Sequence, residues 1–154
     1  MIRFEPASRE NAAVLAEVSR RTFDNDVNFG APGPCGPPGY DSPEWQRHCM
    51  RAGRYFEICD DNRIIGGLML FPQGAGTVEL GRVFIEPERQ NTGIGLAALR
   101  FAESAFPKAK RWVLDTPAWN TRNHHFYEKA GYVKTGEIEA GDGFVLFQFE
   151  KIIA

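Results

Sequence analysis

The chain has 154 residues, of which 43% are hydrophobic and 25% charged, and its formal net charge is −2. This length suits one domain around a single core, and the ordinary composition argues against a disordered chain. The slight negative charge argues against nucleic acid as a partner, because neutralising phosphates requires a basic surface. No apolar run reaches the roughly 18 residues of a membrane span, and the N-terminus lacks a secretory core. We therefore expect one cytoplasmic domain over residues 1–154, with no membrane partner.

The N-terminal third combines regular elements with one irregular segment. Residues 2–5 are typical of a strand, and two helices are predicted, from Ser8 to about Thr22 and from Ser42 to about Ala52. Each helix starts with a serine N-cap. Between them, eight of the ten residues of Gly30–Gly39 are glycine or proline. Such a composition excludes a helix or a central strand there.

The rest of the chain alternates strands and helices. Three strands joined by short turns predict an antiparallel meander, and a helix, a strand, a helix and a closing hairpin follow. In this order the segments are 55–59, 64–71, 77–85, 94–105, 111–114, 120–130, 132–138 and 144–150. The last two strands flank a turn at 141–143. This order predicts an α+β or mixed α/β fold, with helices on both faces of one sheet.

Cysteine usage favours free thiols over a disulfide framework or a metal site. Cys35, Cys49 and Cys59 are odd in number and contain no Cys-x-x-Cys pair. His48 precedes Cys49, but adjacent side chains on a helix point apart, so a cysteine nucleophile is not favoured. No metal is expected.

The segment Gln90-Asn91-Thr92-Gly93-Ile94-Gly95 lies between the strand that ends at Ile85 and the third helix. A helix start exposes unpaired backbone N–H groups, and glycines let the backbone approach an anion closely. Asparagine tolerates left-handed φ angles, so Asn91 suits a turn. The segment therefore predicts a site for a phosphorylated ligand.

The same segment also fits a dinucleotide-binding pattern. Gly93 to Ala98 reads Gly-x-Gly-x-x-Ala, and Asp115 follows about twenty residues later. However, seven residues separate Ile85 from Gly93, the preceding strand belongs to a meander, and no second βαβ half follows. A nicotinamide-dinucleotide protein stays the less favoured alternative.

A second motif places Tyr127 seven residues after Asn120 and before Gly131-Tyr132. Together with Gln90-x-x-Gly93-x-Gly95 it resembles the GNAT superfamily of acetyl-CoA-dependent N-acetyltransferases. The predicted element order is also that of the GNAT fold, whose central sheet is mostly antiparallel. The resemblance covers nearly the whole chain and is strongest from about Thr77 to Tyr132.

The resemblance implies acetyl-CoA as cosubstrate and assigns two groups of residues. The cofactor-binding group comprises Val83, Phe84, Ile85, Gln90, Asn91, Thr92, Gly93, Ile94, Gly95, Asn120 and Tyr127. Among these, the backbone near Val83–Ile85 would hold the pantetheine arm of coenzyme A. The Gln90–Gly95 segment would hold its diphosphate. Asn120 also suits the N-cap of its own helix as an alternative role, and the two roles are compatible.

The resemblance implies two catalytic residues, Tyr127 as the acid for the coenzyme A thiolate and Glu79 as the base for the amine. For Tyr127 the alternative is aromatic packing, and for Glu79 it is an exposed ion pair. Strict alternation along the strand would put Glu79 on the face of Val83 and Ile85, unless a bulge shifts the register.

The acceptor side is expected to come from the first helices, the Gly/Pro segment and the last hairpin. Aromatic and acidic residues near that segment would suit a cationic amine, although the aromatics can equally anchor the loop: Phe23, Phe29, Tyr40, Trp45, Asp24, Asp26, Asp41 and Glu44. The predicted reaction is direct transfer of acetyl to a primary amine of a small molecule or peptide. An acyl-CoA-binding sensor without turnover is the alternative. The identity of the acceptor and a homodimer stay open.

Overall fold

The computed structural model describes residues 1–141 and 143–154. Its strands are β1 (Ile2–Pro6), β2 (Arg54–Asp60), β3 (Arg63–Gly74), β4 (Thr77–Ile85), β5 (Arg111–Pro117), β6 (Val133–Glu139) and β7 (Val145–Ile152). Its α-helices are α1 (Ala12–Asp24), α2 (Pro43–Ala52), α3 (Ile94–Ala105) and α4 (Thr121–Lys129), with short 3-10 helices at Arg9–Asn11, Asn25–Phe29 and Pro87–Arg89. The predicted order of elements is confirmed. The predicted turn at 141–143 contains Asp142, which lies outside the described residues.

The strands form one sheet in the order β1-β2-β3-β4-β5-β7-β6. Neighbouring strands are antiparallel except β4 and β5, which are parallel and pair only between Thr77–Glu79 and Arg111–Val113. Beyond Glu79, β4 continues with β3 while β5 continues with β7 as far as Pro117. The two central strands therefore diverge, and a cleft opens between them.

Helices cover both faces of the sheet, as predicted. On one face, α1 and α2 bury Leu15, Val18 and Cys49 against strand residues that include Met69 and Phe84. On the other face, α3 and α4 bury a larger set: Leu99, Ala102 and Tyr127 with Leu68, Leu70, Trp112, Leu114 and Phe149. Each fully buried aliphatic or aromatic side chain contributes about 1.5–3 kcal/mol. The two cores thus hold the diverging strands from both sides.

A bulge at Gly81 changes which way β4 side chains point. Met69 pairs with Arg82, whereas Leu70 pairs with Leu80, so Gly81 is the extra residue of the pair. A Cβ on Gly81 would lie 2.3 Å from the Phe71 ring, so only glycine fits there. Strict alternation along β4 therefore fails at this point, and the alternative of a bulge that shifts the register holds. Glu79 lies on the face of α1 and α2, opposite to the face of Val83, which packs against the α3 and α4 core.

The first helix begins later than predicted. Ser8 accepts a hydrogen bond from the Glu10 N–H and caps the 3-10 turn, and α1 starts at Ala12 and runs two residues past Thr22. The buried carboxylate of Glu57 on β2 accepts from the Ser8 N–H at 2.9 Å and from Asn11 Nδ2 at 2.8 Å. This contact from a distant strand fixes the helix entry, so the local sequence could not reveal it.

The Gly/Pro segment contains no helix or strand, as predicted, and it is anchored at several points. Arg82 donates to the Pro38 carbonyl at 2.6 Å, and its guanidinium lies 4.1 Å from the Trp45 ring centre. Tyr40 donates its hydroxyl hydrogen to Asp24 at 2.7 Å. These contacts support the anchoring interpretation of Tyr40 and Trp45. Within the described part of the chain, no helix is both long and apolar enough to cross a membrane.

Candidate functional site

A cleft of about 740 Å³ lies along the last residues of β4, past the point where β4 and β5 stop pairing. Its walls are the end of α1, the last residues of β4, the loop before α3 and the first turns of α4. Eight residues predicted to form the site line it: Val83, Phe84, Ile85, Gln90, Asn91, Gly93, Gly95 and Tyr127. The cleft lining does not include the other four predicted site residues, which are Asn120, Thr92, Ile94 and Glu79.

The end of β4 offers backbone groups to the cleft. Glu86 donates its N–H to the Ile65 carbonyl on the β3 side at 2.8 Å. Because successive backbone groups of a strand point in opposite directions, those of Val83 and Ile85 point away from β3. Gln90 Nε2 donates to the Ile85 carbonyl from that side at 2.9 Å. This edge can pair with an extended ligand that carries amides.

The loop before α3 presents backbone rather than side chains. Gly93 precedes the helix with φ +86°, and no side chain caps the first turn of α3. The Thr92 hydroxyl turns back to the Arg89 carbonyl at 2.6 Å, and the Ile94 side chain is buried in the core. Any contact of Thr92 or Ile94 with a ligand would therefore use backbone N–H groups. The N–H groups of such a helix start favour a negatively charged ligand.

The two glycines of this loop have different structural roles. A Cβ on Gly93 would meet nothing within 4 Å, whereas a Cβ on Gly95 would lie 2.9 Å from the Phe126 ring. Gly93 therefore provides a left-handed backbone next to open space. Gly95 instead allows α3 to pack closely on α4. The absence of a side chain at Gly95 thus has a packing reason, and its predicted contact with a cofactor through the backbone stays a prediction.

Tyr127 is both a packed aromatic residue and a cleft residue. Its ring centre lies 5.8 Å from that of Tyr132 and 6.2 Å from that of Phe149. Its hydroxyl has no hydrogen-bond partner among the described residues, and the side chain lines the cleft. Burial raises the pKa of Tyr127 well above its usual value. The phenol therefore keeps its proton at neutral pH.

Asn120 caps α4, as its alternative role predicted. Its side-chain oxygen accepts from the Asn123 N–H at 3.1 Å, and only 2% of the residue is exposed. The cap positions the first turns of α4, from which Tyr127 extends to the cleft. Direct contact between Asn120 and a cofactor stays a prediction.

Glu79 lines a second, smaller cavity of about 220 Å³ on the α1 and α2 face of the sheet. It belongs to the last residue pair of β4 and β5, opposite Val113, and so lies at the apex of the divergence. Asp115 and Gln148 line the same cavity. Burial, and then the charge of Asp115, raise the pKa of Glu79. The ion pair considered for Glu79 is absent among the residues that the structure describes.

Arg122 is a cleft residue that the sequence did not reveal. Its Nη1 donates to Gln90 Oε1 at 2.8 Å and its Nη2 to Asp26 Oδ1 at 3.0 Å. Its guanidinium lies 3.8 Å from the Phe29 ring centre. Asp26 is 7% exposed, and burial, partly offset by Arg122, raises its pKa to about 6. Of the predicted acceptor-side residues, Asp26 and Phe23 line this cleft.

Comparisons with known proteins identify the family. Residues 22–132 match the acetyltransferase (GNAT) family. Three similar solved structures are a Desulfovibrio desulfuricans protein assigned to the GNAT family (TM-score 0.80, 18% identity), the PaiA N-acetyltransferase of Thermoplasma acidophilum in complex with coenzyme A (0.75, 20%) and the ribosomal-protein-S18-alanine N-acetyltransferase of Escherichia coli (0.76, 14%).

The structural matches extend over whole chains. They cover 100%, 99% and 100% of this chain and 100%, 99% and 95% of the respective relatives. At these identities the solved structures establish the fold, and no curated protein sequence matches this one. The family match spans most of the chain and includes the diverging strands, the loop before α3 and Tyr127. The chain therefore belongs to the GNAT family of acetyltransferases, which use acetyl-CoA as the acyl donor.

Proposed function

We propose that this acetyltransferase transfers the acetyl group to a primary amine of a small molecule or peptide, by direct attack and without a covalent enzyme intermediate. The divergence of β4 and β5 carries the proposal. It puts Glu79 at the apex, the backbone groups of Val83 and Ile85 along one edge, and Tyr127 on the cleft wall. A donor in the cleft and an amine on the Glu79 side would meet at the gap between the strands.

On the donor side, backbone groups account for most of the proposed contacts. The N–H groups of the loop Gln90–Gly95 and of the first turn of α3 would hold the diphosphate. The edge groups of Val83 and Ile85 would pair with the amides of the pantetheine arm, in the way that a strand pairs with a neighbour. This arrangement directs the thioester toward the apex of the divergence.

Tyr127 is proposed as the acid of the reaction. The amine nitrogen forms a bond to the acetyl carbon, and the bond between that carbon and sulfur breaks as the thiolate leaves. A thiol of pKa about 8.5 leaves more easily when an acid protonates it. Tyr127 has its proton and no competing partner among the described residues, so it would donate to sulfur and regain a proton from solvent.

Glu79 is proposed as the base that prepares the amine. An amine of pKa about 10.4 must lose a proton at a cost of about 4.6 kcal/mol at pH 7. The carboxylates of Glu79 and Asp115, which form no ion pair with a described residue, would attract the protonated amine. Because burial and Asp115 raise the pKa of Glu79, its carboxylate is a stronger base than an exposed glutamate.

The substitution Glu79→Gln is expected to lower kcat/KM at pH 7 about 10²-fold, because it removes the proton acceptor. Part of the loss should be recovered above pH 9, where more of the amine is already neutral. A pH–rate profile measures this, with Glu137→Gln as a control for loss of an exposed carboxylate on β6. If the Glu79 variant keeps the wild-type profile, the residue is only a strand carboxylate.

Neutralising Asp115 tests the same site by lowering the pKa of Glu79. Asp115→Asn removes the charge that raises the pKa of Glu79. The acidic limb of the kcat/KM profile should therefore move to lower pH. An acidic limb that stays in place or moves to higher pH would contradict the proposed effect of the Asp115 charge on Glu79.

An acetyl-CoA assay with a panel of amines tests the proposed function as a whole. The panel should contain a diamine, a polyamine, free amino acids and a peptide with N-terminal alanine, the last because one structural relative is a ribosomal-protein-S18-alanine N-acetyltransferase. Amine-dependent release of the coenzyme A thiol is the expected result. Tight acetyl-CoA binding without release across the panel would favour the sensor, and a thermal shift with NADH but not with coenzyme A would contradict the proposal.

A further inference from the structure

Arg122 joins three parts of the cleft that are far apart in sequence. Through Asp26 and Phe29 it contacts the 3-10 turn Asn25–Phe29 after α1, and through Gln90 it contacts the loop before α3. Gln90 in turn donates to the carbonyl of Ile85 at the end of β4. A continuous chain of hydrogen bonds thus runs from Asp26 across α4 to the edge of β4.

The guanidinium keeps donors for a further ligand. Arginine has five N–H donors, and the contacts with Gln90 and Asp26 use one each on the two Nη atoms. The side chain is 28% exposed, and the carboxylate of Asp26 is almost completely buried. An anion bound at the loop can therefore meet the remaining donors of Arg122 without displacing Asp26.

We propose that Arg122 is a positioning residue that couples the donor site to the acceptor side: when the diphosphate of the donor binds at the loop Gln90–Gly95, Arg122 fixes the turn Asn25–Phe29 against α4. The inference rests on the proposed function, because it takes the cleft as the donor site. The turn carries Asp26, which lines the cleft, and Phe29, whose ring contacts Arg122, so both would then be held in one position.

The coupling has a plain electrostatic cause. A bound donor covers Arg122 and removes water from the contact between Arg122 and Asp26, and an ion pair is stronger where the local dielectric is lower. The diphosphate also holds the guanidinium in one orientation, so the contact between Arg122 and the turn costs less conformational entropy. Lysine cannot reproduce this effect, since one ammonium cannot bridge Gln90 and Asp26 as the planar fork of arginine does.

Hydrogen exchange of the turn provides the test, with coenzyme A as the probe. The Ala31 N–H bonds to the Asp26 carbonyl at 3.1 Å, so its exchange reports opening of the turn. In the wild-type protein, saturating coenzyme A should slow exchange over residues 25–31 by about fivefold or more, the lower end of usual coupling between sites. Titration calorimetry measures coenzyme A binding in parallel.

Three variants separate coupling from charge and from general stability. Arg122→Lys keeps the positive charge, so coenzyme A should still bind, with a Kd raised by no more than about the coupling that is lost, but protection of residues 25–31 should be lost. Asp26→Asn should also lose the protection and keep coenzyme A binding. Lys151→Gln, which breaks an ion pair with Glu103 away from the cleft, should behave as the wild type.

The outcomes distinguish this inference from the proposed function. Coenzyme A binding with no protection of residues 25–31 in the wild type would overturn the coupling alone. Equal protection in Arg122→Lys and Asp26→Asn would do the same, because the first variant lacks the planar fork and the second lacks the negative charge that the coupling requires. A wild-type protein that does not bind coenzyme A would instead contradict the proposed function itself.

Discussion

Replacing Tyr127 with phenylalanine should lower kcat by about 10²- to 10⁴-fold, the usual contribution of a positioned acid. The change removes one oxygen and keeps the ring, which packs against Tyr132 and Phe149. Since the hydroxyl has no partner among the described residues, the free energy of unfolding should change little. The Kd for acetyl-CoA should stay within a few-fold, so the loss would lie in the chemical step. Steady-state kinetics and calorimetry measure the two effects separately.

Tyr132→Phe is the matched control for this prediction. Tyr132 is also buried, and burial likewise raises its pKa, but it does not line the cleft. The control should keep nearly full activity. If Tyr127→Phe turns over as fast as Tyr132→Phe, the phenol of Tyr127 has only a packing role.

Gly93→Val should raise the Kd for coenzyme A more than about 100-fold, because the new side chain projects into the open space that the diphosphate would fill. Gly93 has φ +86°, and its Cβ would meet no protein atom within 4 Å. The protein should still fold, with a loss of about 1–2 kcal/mol from the left-handed backbone. Calorimetry measures the Kd, and denaturant unfolding measures the stability.

Gly74 provides a control with the same backbone strain. It is the last residue of β3, also has φ +86°, and has no atom within 4 Å of its Cβ position. Gly74→Val should therefore lose a similar free energy of unfolding and keep wild-type affinity for coenzyme A. Equal affinity in Gly93→Val and Gly74→Val would remove the loop before α3 from the proposed donor site.

The overall fold followed from local patterns in the sequence. Serine and proline at the start of α2, apolar spacing along α3, and short turns between β2, β3 and β4 are features of neighbouring residues, and they predicted these elements nearly to their ends. The loop before α3 was predicted for the same reason, because glycines at a helix start act through their own backbone. The seven-residue spacing from Asn120 to Tyr127 is also local, since one helix contains both the cap and the phenol.

Only the tertiary structure decided how these parts face one another. Glu79 points away from Val83 because Gly81 forms a bulge against Phe71, a residue of the neighbouring strand. Arg122 reaches Asp26, which is 96 residues earlier, through a contact that no periodicity or spacing encodes. The sequence by itself therefore determined the elements, their order and the glycine-containing start of α3. Packing between distant segments determined which carboxylates and cations face each side of the cleft, because side-chain direction depends on register and contact partners that the local sequence does not specify.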